Sequence, residues 1–181
     1  MPDDIVRRTL AARLTAALRL DRRVFLEVSR DPEAFPQAVG MVTLAGFARG
    51  IGALPYEGFY GLIGGVLAGY VLWVVCSTVV YMVGVVTFGG RADFPELLRT
   101  LGFASAPLFG LVFCAFPIGA GVPVIWWAAH LLALVAFTIA VRESLELPPQ
   151  RAFLVCVIAL ALGLVTLLAL GILFVGSTAA G

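Results

Sequence analysis

The chain has 181 residues, of which 61% are hydrophobic and 13% charged, with a formal net charge of +1 and a mean hydropathy of +1.05. A water-soluble domain of this length holds one ordinary core, and the long apolar runs from Phe35 onward would coat it in apolar surface. A soluble globular domain is thereby excluded, and the bilayer is the expected solvent for most of the chain.

The near-neutral net charge hides a strong segregation. All 12 Lys and Arg residues are arginine, and Arg7, Arg8, Arg13, Arg19, Arg22, Arg23 and Arg30 precede Phe35. Val6, Leu10, Leu14, Ala17 and Leu18 recur among them at helical spacing, which predicts a helix over residues 3–30 with a basic polar face. Such a segment either lies on a membrane surface or packs on its own bundle. On a surface, each well-placed arginine gains roughly 1 kcal/mol from anionic headgroups. No apolar stretch with a small-residue cleavage site follows promptly, so the segment does not read as a secretory signal. Residues 1–31 are therefore expected to form a basic amphipathic cytoplasmic or interfacial segment, and residues 32–181 a transmembrane domain.

Asp31-Pro32-Glu33 marks a helix start: Asp31 can cap, Pro32 suits the first helical position, and Glu33 faces the positive end of the dipole. A first span is predicted over residues 35–54, ending at Pro55. The second, over 59–87, would measure about 43 Å and must tilt or project beyond the hydrocarbon. After a polar stretch from Gly89 to Asp93, the spacing of Phe94, Leu97, Leu98 and Leu101 predicts a short interfacial helix beginning at Pro95. The third span, 102–116, is short and interrupted at Pro107. A turn from Pro117 to Pro123 leads to a fourth span over 123–141. The break at Pro148-Pro149 precedes a fifth over 152–175. Along this path every arginine except Arg49 falls on one side, which the positive-inside rule makes cytoplasmic. The expected fold is an all-α membrane protein. Five transmembrane helices form one bundle with an N-terminal amphipathic helix, the N-terminus cytoplasmic and the C-terminus outside.

Helices in lipid associate through close packing and hydrogen bonds. Gly61, Gly65 and Gly69 share one face of the second span, and Gly46 and Gly50 repeat the spacing in the first, giving helix-packing faces within the monomer or at a dimer seam. Two ionisable residues lie inside the spans, where charge is costly. Arg49 is near enough to the outer end of its span to snorkel to the headgroups, with Glu57 a possible partner on that side. His130 lies roughly 10 Å into the fourth span, either hydrogen-bonded to a neighbouring helix or part of a proton relay. Trp73, Trp126 and Trp127 read as apolar bulk or interface anchors. Cys76, Cys114 and Cys156 stand singly in apolar runs and read as small hydrophobes.

Several chemistries lack their parts. The chain has no phosphate-binding GxxxxGK[ST] loop, no HExxH, no GxSxG and no paired intramembrane carboxylates. No enzyme activity, cofactor or metal site is expected, and the lipid-facing pattern of the basic segment argues against nucleic acid.

Three stretches stand in order: Asp31-Pro32-Glu33-Ala34-Phe35, then Phe94 to Pro107 with its Leu-x-x-x-Gly-aromatic-small-x-x-Pro pattern, then Val141-Arg142-Glu143-Ser144-Leu145 through Arg151-Ala152. Their order and placement resemble the Yip family of five-span membrane proteins, named for interaction with Ypt/Rab GTPases. The likeness covers roughly residues 31–175. The resemblance implies a cytoplasmic N-terminus, five helices and a role in membrane organisation or trafficking through partners. The residues before Asp31 are fewer than the N-terminal domain of the eukaryotic members, and the Asp-Leu-Tyr-Gly-Pro stretch of that branch is missing. The chain looks more like the prokaryotic members, and a GTPase partner is doubtful on that account. Arginine in place of lysine, with abundant Ala and Gly, agrees with a bacterial inner (cytoplasmic) membrane.

Two functions are expected on these grounds. One is a non-enzymatic scaffold or adaptor whose Arg7, Arg8, Arg13, Arg19, Arg22, Arg23, Arg91, Arg99, Arg142 and Arg151 contact anionic lipid or a protein partner, alongside membrane lipids and self-association. The other is a small-solute or ion transporter or channel using Arg49 and His130, motivated by the broken third span. A transporter requires those two residues around one wet cavity.

Overall fold

The computed structural model describes residues 9–116 and 121–179. Arg7, Arg8 and the predicted turn residues Pro117 to Ala120 lie outside the described residues. Four described segments are long and apolar enough to cross a membrane: Pro32–Thr87, Phe94–Ala115, Gly121–Leu145 and Pro149–Ile172.

The expected single helix over residues 3–30 is two helices where described, α1 (Leu10–Leu18) and α2 (Arg22–Arg30). The break is a helix stop followed at once by a start. Leu20 takes a left-handed φ of 58°. The amides of Leu20 and Asp21 bond back to the carbonyls of Ala17 and Ala16, each at 3.0 Å, closing a Schellman-type end. The Asp21 carboxylate then accepts from Arg23 N–H at 3.0 Å and caps α2. Leucine in the left-handed region costs about 1–2 kcal/mol, so neighbouring packing must hold the corner. Val24, Phe25 and Val28 of α2 are fully buried against the bundle, where α2 meets α4 (Phe94–Ala104) and α5 (Gly121–Leu145). Each such side chain contributes roughly 1.5–3 kcal/mol. The apolar face of α2 therefore packs on its own bundle.

A 3₁₀ turn at Pro32–Ala34, capped by Asp31, leads into α3 (Phe35–Val80). A straight helix of 46 residues would be about 69 Å long. It is instead folded on itself at Gly58, whose φ of 60° and ψ of −154° are cheap for glycine alone. Pro55, three residues ahead, weakens the helix at the same corner. Residues 35–57 and 59–80 thus run antiparallel. Cβ atoms added at Gly46 and Gly50 would stand 2.7 Å from Val66 Cα and Leu62 Cα respectively. Farther along, Thr43 Oγ1 and Tyr70 Oη are 2.6 Å apart. The second limb ends in a π-helix, Tyr81–Thr87.

The apolar face of the predicted interfacial helix is turned into the bundle. α4 places Leu97, Leu101, Phe103 and Ala104 at 0% exposure, and Gly102 lies against Ala38, where an added Cβ would be 2.7 Å from the alanine Cβ. Trp73 Nε1–H donates to Leu98 O at 2.9 Å. The spacing of the leucines marks one face correctly; that face meets protein on several sides. A 3₁₀ segment, Ala106–Ala115, continues α4 beyond Pro107. At about 2.0 Å per residue the 3₁₀ form extends farther than an α-helix of the same length, which lengthens a segment that reads as short from its sequence. α6 (Pro149–Ala179) closes against the second limb of α3. Gly163 faces Leu72 and Cys76 there, and Cys76 Sγ lies 3.5 Å from Ala159 O.

Candidate functional site

Both limbs of α3 border a space that α4, the 3₁₀ segment, α5 and α6 do not fill. What remains is a groove of about 310 Å³. Val42, Gly46, Gly69 and Trp73 of α3 line it together with Leu131 and Phe137 of α5 and Leu160 of α6. Most of the lining is apolar; Arg49, His130 and Ser105 supply its ionisable and hydroxyl groups. A smaller cavity of about 250 Å³ adjoins it, lined by Arg49, Ala53, Tyr56, Glu57, Cys114 and Trp126 among others. Arg49 and Leu111 belong to both linings.

Arg49 and His130, far apart in sequence, therefore face one space. Local contacts hold His130 within α5: its Nδ1 lies 2.8 Å from Trp126 O, and its ring lies 4.1 Å from the Trp126 ring at 30°. Arg49 is exposed. No ion pair joins it to Glu57 among the described residues, although both line the smaller cavity. Tyr56 is 73% and Tyr60 87% exposed, giving this end of the bundle an aromatic rim.

The glycines do different things. Gly46, Gly50 and Gly65 make the backbone crossing, and a Cβ at Gly65 would lie 2.8 Å from both Gly46 O and Gly50 N. Gly61 faces Glu57 and Ala53 near the corner, and Gly69 is looser, with 3.5 Å from an added Cβ to Gly46 Cα. All five face the chain's own atoms.

The arginines divide as well. Arg19, Arg22, Arg23, Arg30, Arg91 and Arg151 are exposed, while Arg99 and Arg142 are half-buried. Arg151 stands over the Phe88 ring, 5.8 Å from its centroid. Arg99 turns inward and donates from Nε to Val28 O at 3.2 Å and from Nη2 to Ser29 O at 2.5 Å. It thereby satisfies carbonyls that the end of α2 leaves without helical partners.

Arg13 departs most from expectation. It is 2% exposed and does not face lipid or a partner. Its Nε donates to Glu27 at 2.9 Å, its Nη1 to Gln37 at 2.9 Å and its Nη2 to Asp31 at 2.6 Å. Burial opposes its charge, but the hydrogen bonds to Asp31 and Glu27 more than offset this and hold its pKa above the usual value. Sequence spacing counts Arg13 with the basic face because the corner at Leu20, which turns α1 and α2 against each other, carries no glycine to announce it.

A family model described as the Yip1 domain matches residues 21–170, which run from α2 into α6. No curated protein and no solved structure matches the chain. With an all-helical architecture of apolar segments and a matched region covering most of its length, the chain belongs to the Yip1 domain family.

Proposed function

We propose that this protein is a non-enzymatic scaffold or adaptor in membrane organisation or trafficking, anchored by five crossings of a bacterial inner membrane. The five crossings are the two limbs of α3, the α4–3₁₀ segment, α5 and α6. The N-terminus is cytoplasmic and the C-terminus outside, and the protein resembles the prokaryotic branch of its family. One observation carries the adaptor reading. Arg19, Arg22, Arg23, Arg30 and Arg91 are exposed and make no ion pair among the described residues. They stand at the end of the bundle where α2 meets α4 and α5 and where Arg91 N–H bonds Leu145 O at 3.3 Å. A surface carrying several exposed arginines beside a bilayer attracts anionic lipid or an acidic protein face. Transport draws no comparable support. The groove that brings Arg49 and His130 together is largely apolar, whereas an ion path needs polar groups in register.

The test is crosslinking in native membranes through a tagged N-terminus, followed by mass spectrometry of captured proteins. The expected result is a reproducible partner that disappears in the Arg22→Gln/Arg23→Gln variant. Capture that persists unchanged in that variant, or an N-terminal tag protected from cytoplasmic reagents, refutes the reading.

A further inference from the structure

We propose that the groove and its adjoining cavity hold one zwitterionic phospholipid of the phosphoethanolamine type, with an acyl chain in the groove and the headgroup in the smaller cavity. This goes beyond the adaptor reading and does not depend on it.

Arg49 lies in the first limb of α3. A charge within the span is costly unless something neutralises it, and among the described residues no carboxylate does so. Its guanidinium sits where an apolar groove meets a cavity that also contains Glu57. A phosphodiester supplies the missing counter-charge, and its oxygens match the planar fork of arginine. Glu57 then selects the rest of the headgroup. An ammonium beyond the phosphate meets a carboxylate and the faces of Tyr56 and Trp126, all lining the same cavity. An anionic headgroup would instead place further negative charge or hydroxyls against Glu57. Two opposite charges that share a cavity without pairing complement a ligand carrying both signs.

The groove suits the other half of such a molecule. From the level of His130 to that of Phe137 it extends about 10 Å along α5. Its walls there are Gly69, Leu72, Leu134 and Leu160. At about 310 Å³ it falls at the lower end of the roughly 300–1,000 Å³ typical of ligand pockets. Gly69 lines it at a point where a Cβ would meet only Gly46 and Val42, at ordinary contact distance, so a larger side chain there takes up room at the groove wall.

Native mass spectrometry of the full chain in detergent, titrated with dioleoylphosphatidylethanolamine or dioleoylphosphatidylglycerol, tests this. The expected result is one tightly held lipid, with the ethanolamine lipid preferred. Arg49→Gln should weaken both lipids by about tenfold. Glu57→Gln should erase the preference, and Gly69→Leu should block both lipids. Because Glu57 is exposed at the corner, its variant reads selectivity without a demand on folding, and Arg49→Lys provides a conservative companion to Arg49→Gln. Equal or better binding of the glycerol lipid by the unaltered chain overturns the proposal. So does a preference unchanged in Glu57→Gln, or a lipid-free dimer whose formation Gly69→Leu abolishes, which would assign the groove to a second copy.

Discussion

Arg13→Ala is the sharpest perturbation the fold offers, because one side chain joins α1, α2 and the start of α3. Three charge-assisted hydrogen bonds are lost at once, to Glu27, Asp31 and Gln37. At about 1.5–3 kcal/mol each, their sum overstates the effect. Asp31 also accepts from Glu33 N–H at 3.1 Å, and its side chain keeps 12% exposure to Arg13's 2%. Removing one member of a buried pair typically costs about 3–5 kcal/mol, and the lower figure suits a network that retains other bonds. A loss of about 3 kcal/mol raises the open population of the α1–α2 corner roughly a hundredfold. Trypsin reports that population through cleavage at Arg19, Arg22 and Arg23, provided reclosing outpaces cleavage. Arg13→Lys should fall between, since an ammonium cannot span three acceptors in the arginine geometry. Cleavage of Arg13→Ala within about threefold of the parent would show that the buried network holds nothing down.

The glycine crossing makes a paired prediction. Gly65→Ala forces a Cβ to 2.8 Å from Gly46 O and should destabilise by about 1–3 kcal/mol, read by thermal unfolding in detergent. Gly64→Ala, one residue away with nothing within 4 Å, should be neutral or stabilise by up to about 1 kcal/mol; equal effects at both sites would refute the crossing. Trp73→Phe removes the bond to Leu98 O and should cost about 1 kcal/mol in the same assay, and an unchanged transition would mean that this bond contributes nothing. Cys76 and Cys156 are 2% and 1% exposed, so their maleimide labelling should follow the unfolding rate, and prompt labelling of the folded protein would contradict their placement.

Much of this fold is legible from hydropathy, because a bilayer forces backbone polar groups to pair within each helix. The corner at Gly58 coincides with the predicted break near Pro55, and both residue types carry a local backbone reason to stop a helix. The parts that sequence misread lack such a reason. Leu20 adopts a left-handed conformation that leucine does not advertise, so the sequence pattern reads α1 and α2 as one helix and puts Arg13 on its basic face. The leucines of α4 have the spacing of an interfacial helix, and spacing cannot tell a lipid face from a protein face. The meeting of Arg49 with Glu57, Tyr56 and Trp126 at one cavity depends on how α3, the 3₁₀ segment and α5 are placed together. No local pattern encodes that placement, although Arg49 and His130 stand out in the sequence as ionisable groups in apolar runs.

The corner at Gly58 also orders assembly in time. The contacts it creates, Gly46 with Val66 and Gly50 with Leu62, join residues close in sequence, so little loop entropy opposes them. Cys76 with Ala159 and Thr100 with Ser144, 3.1 Å apart, must wait for much more of the chain. During synthesis the limbs of α3 can therefore close into a pair while α5 and α6 are still unmade. The groove comes into being only when those later helices dock. Between the two events Arg49 stands beside a half-built wall, and the lipid proposed for the groove would be enclosed by the helices that arrive last.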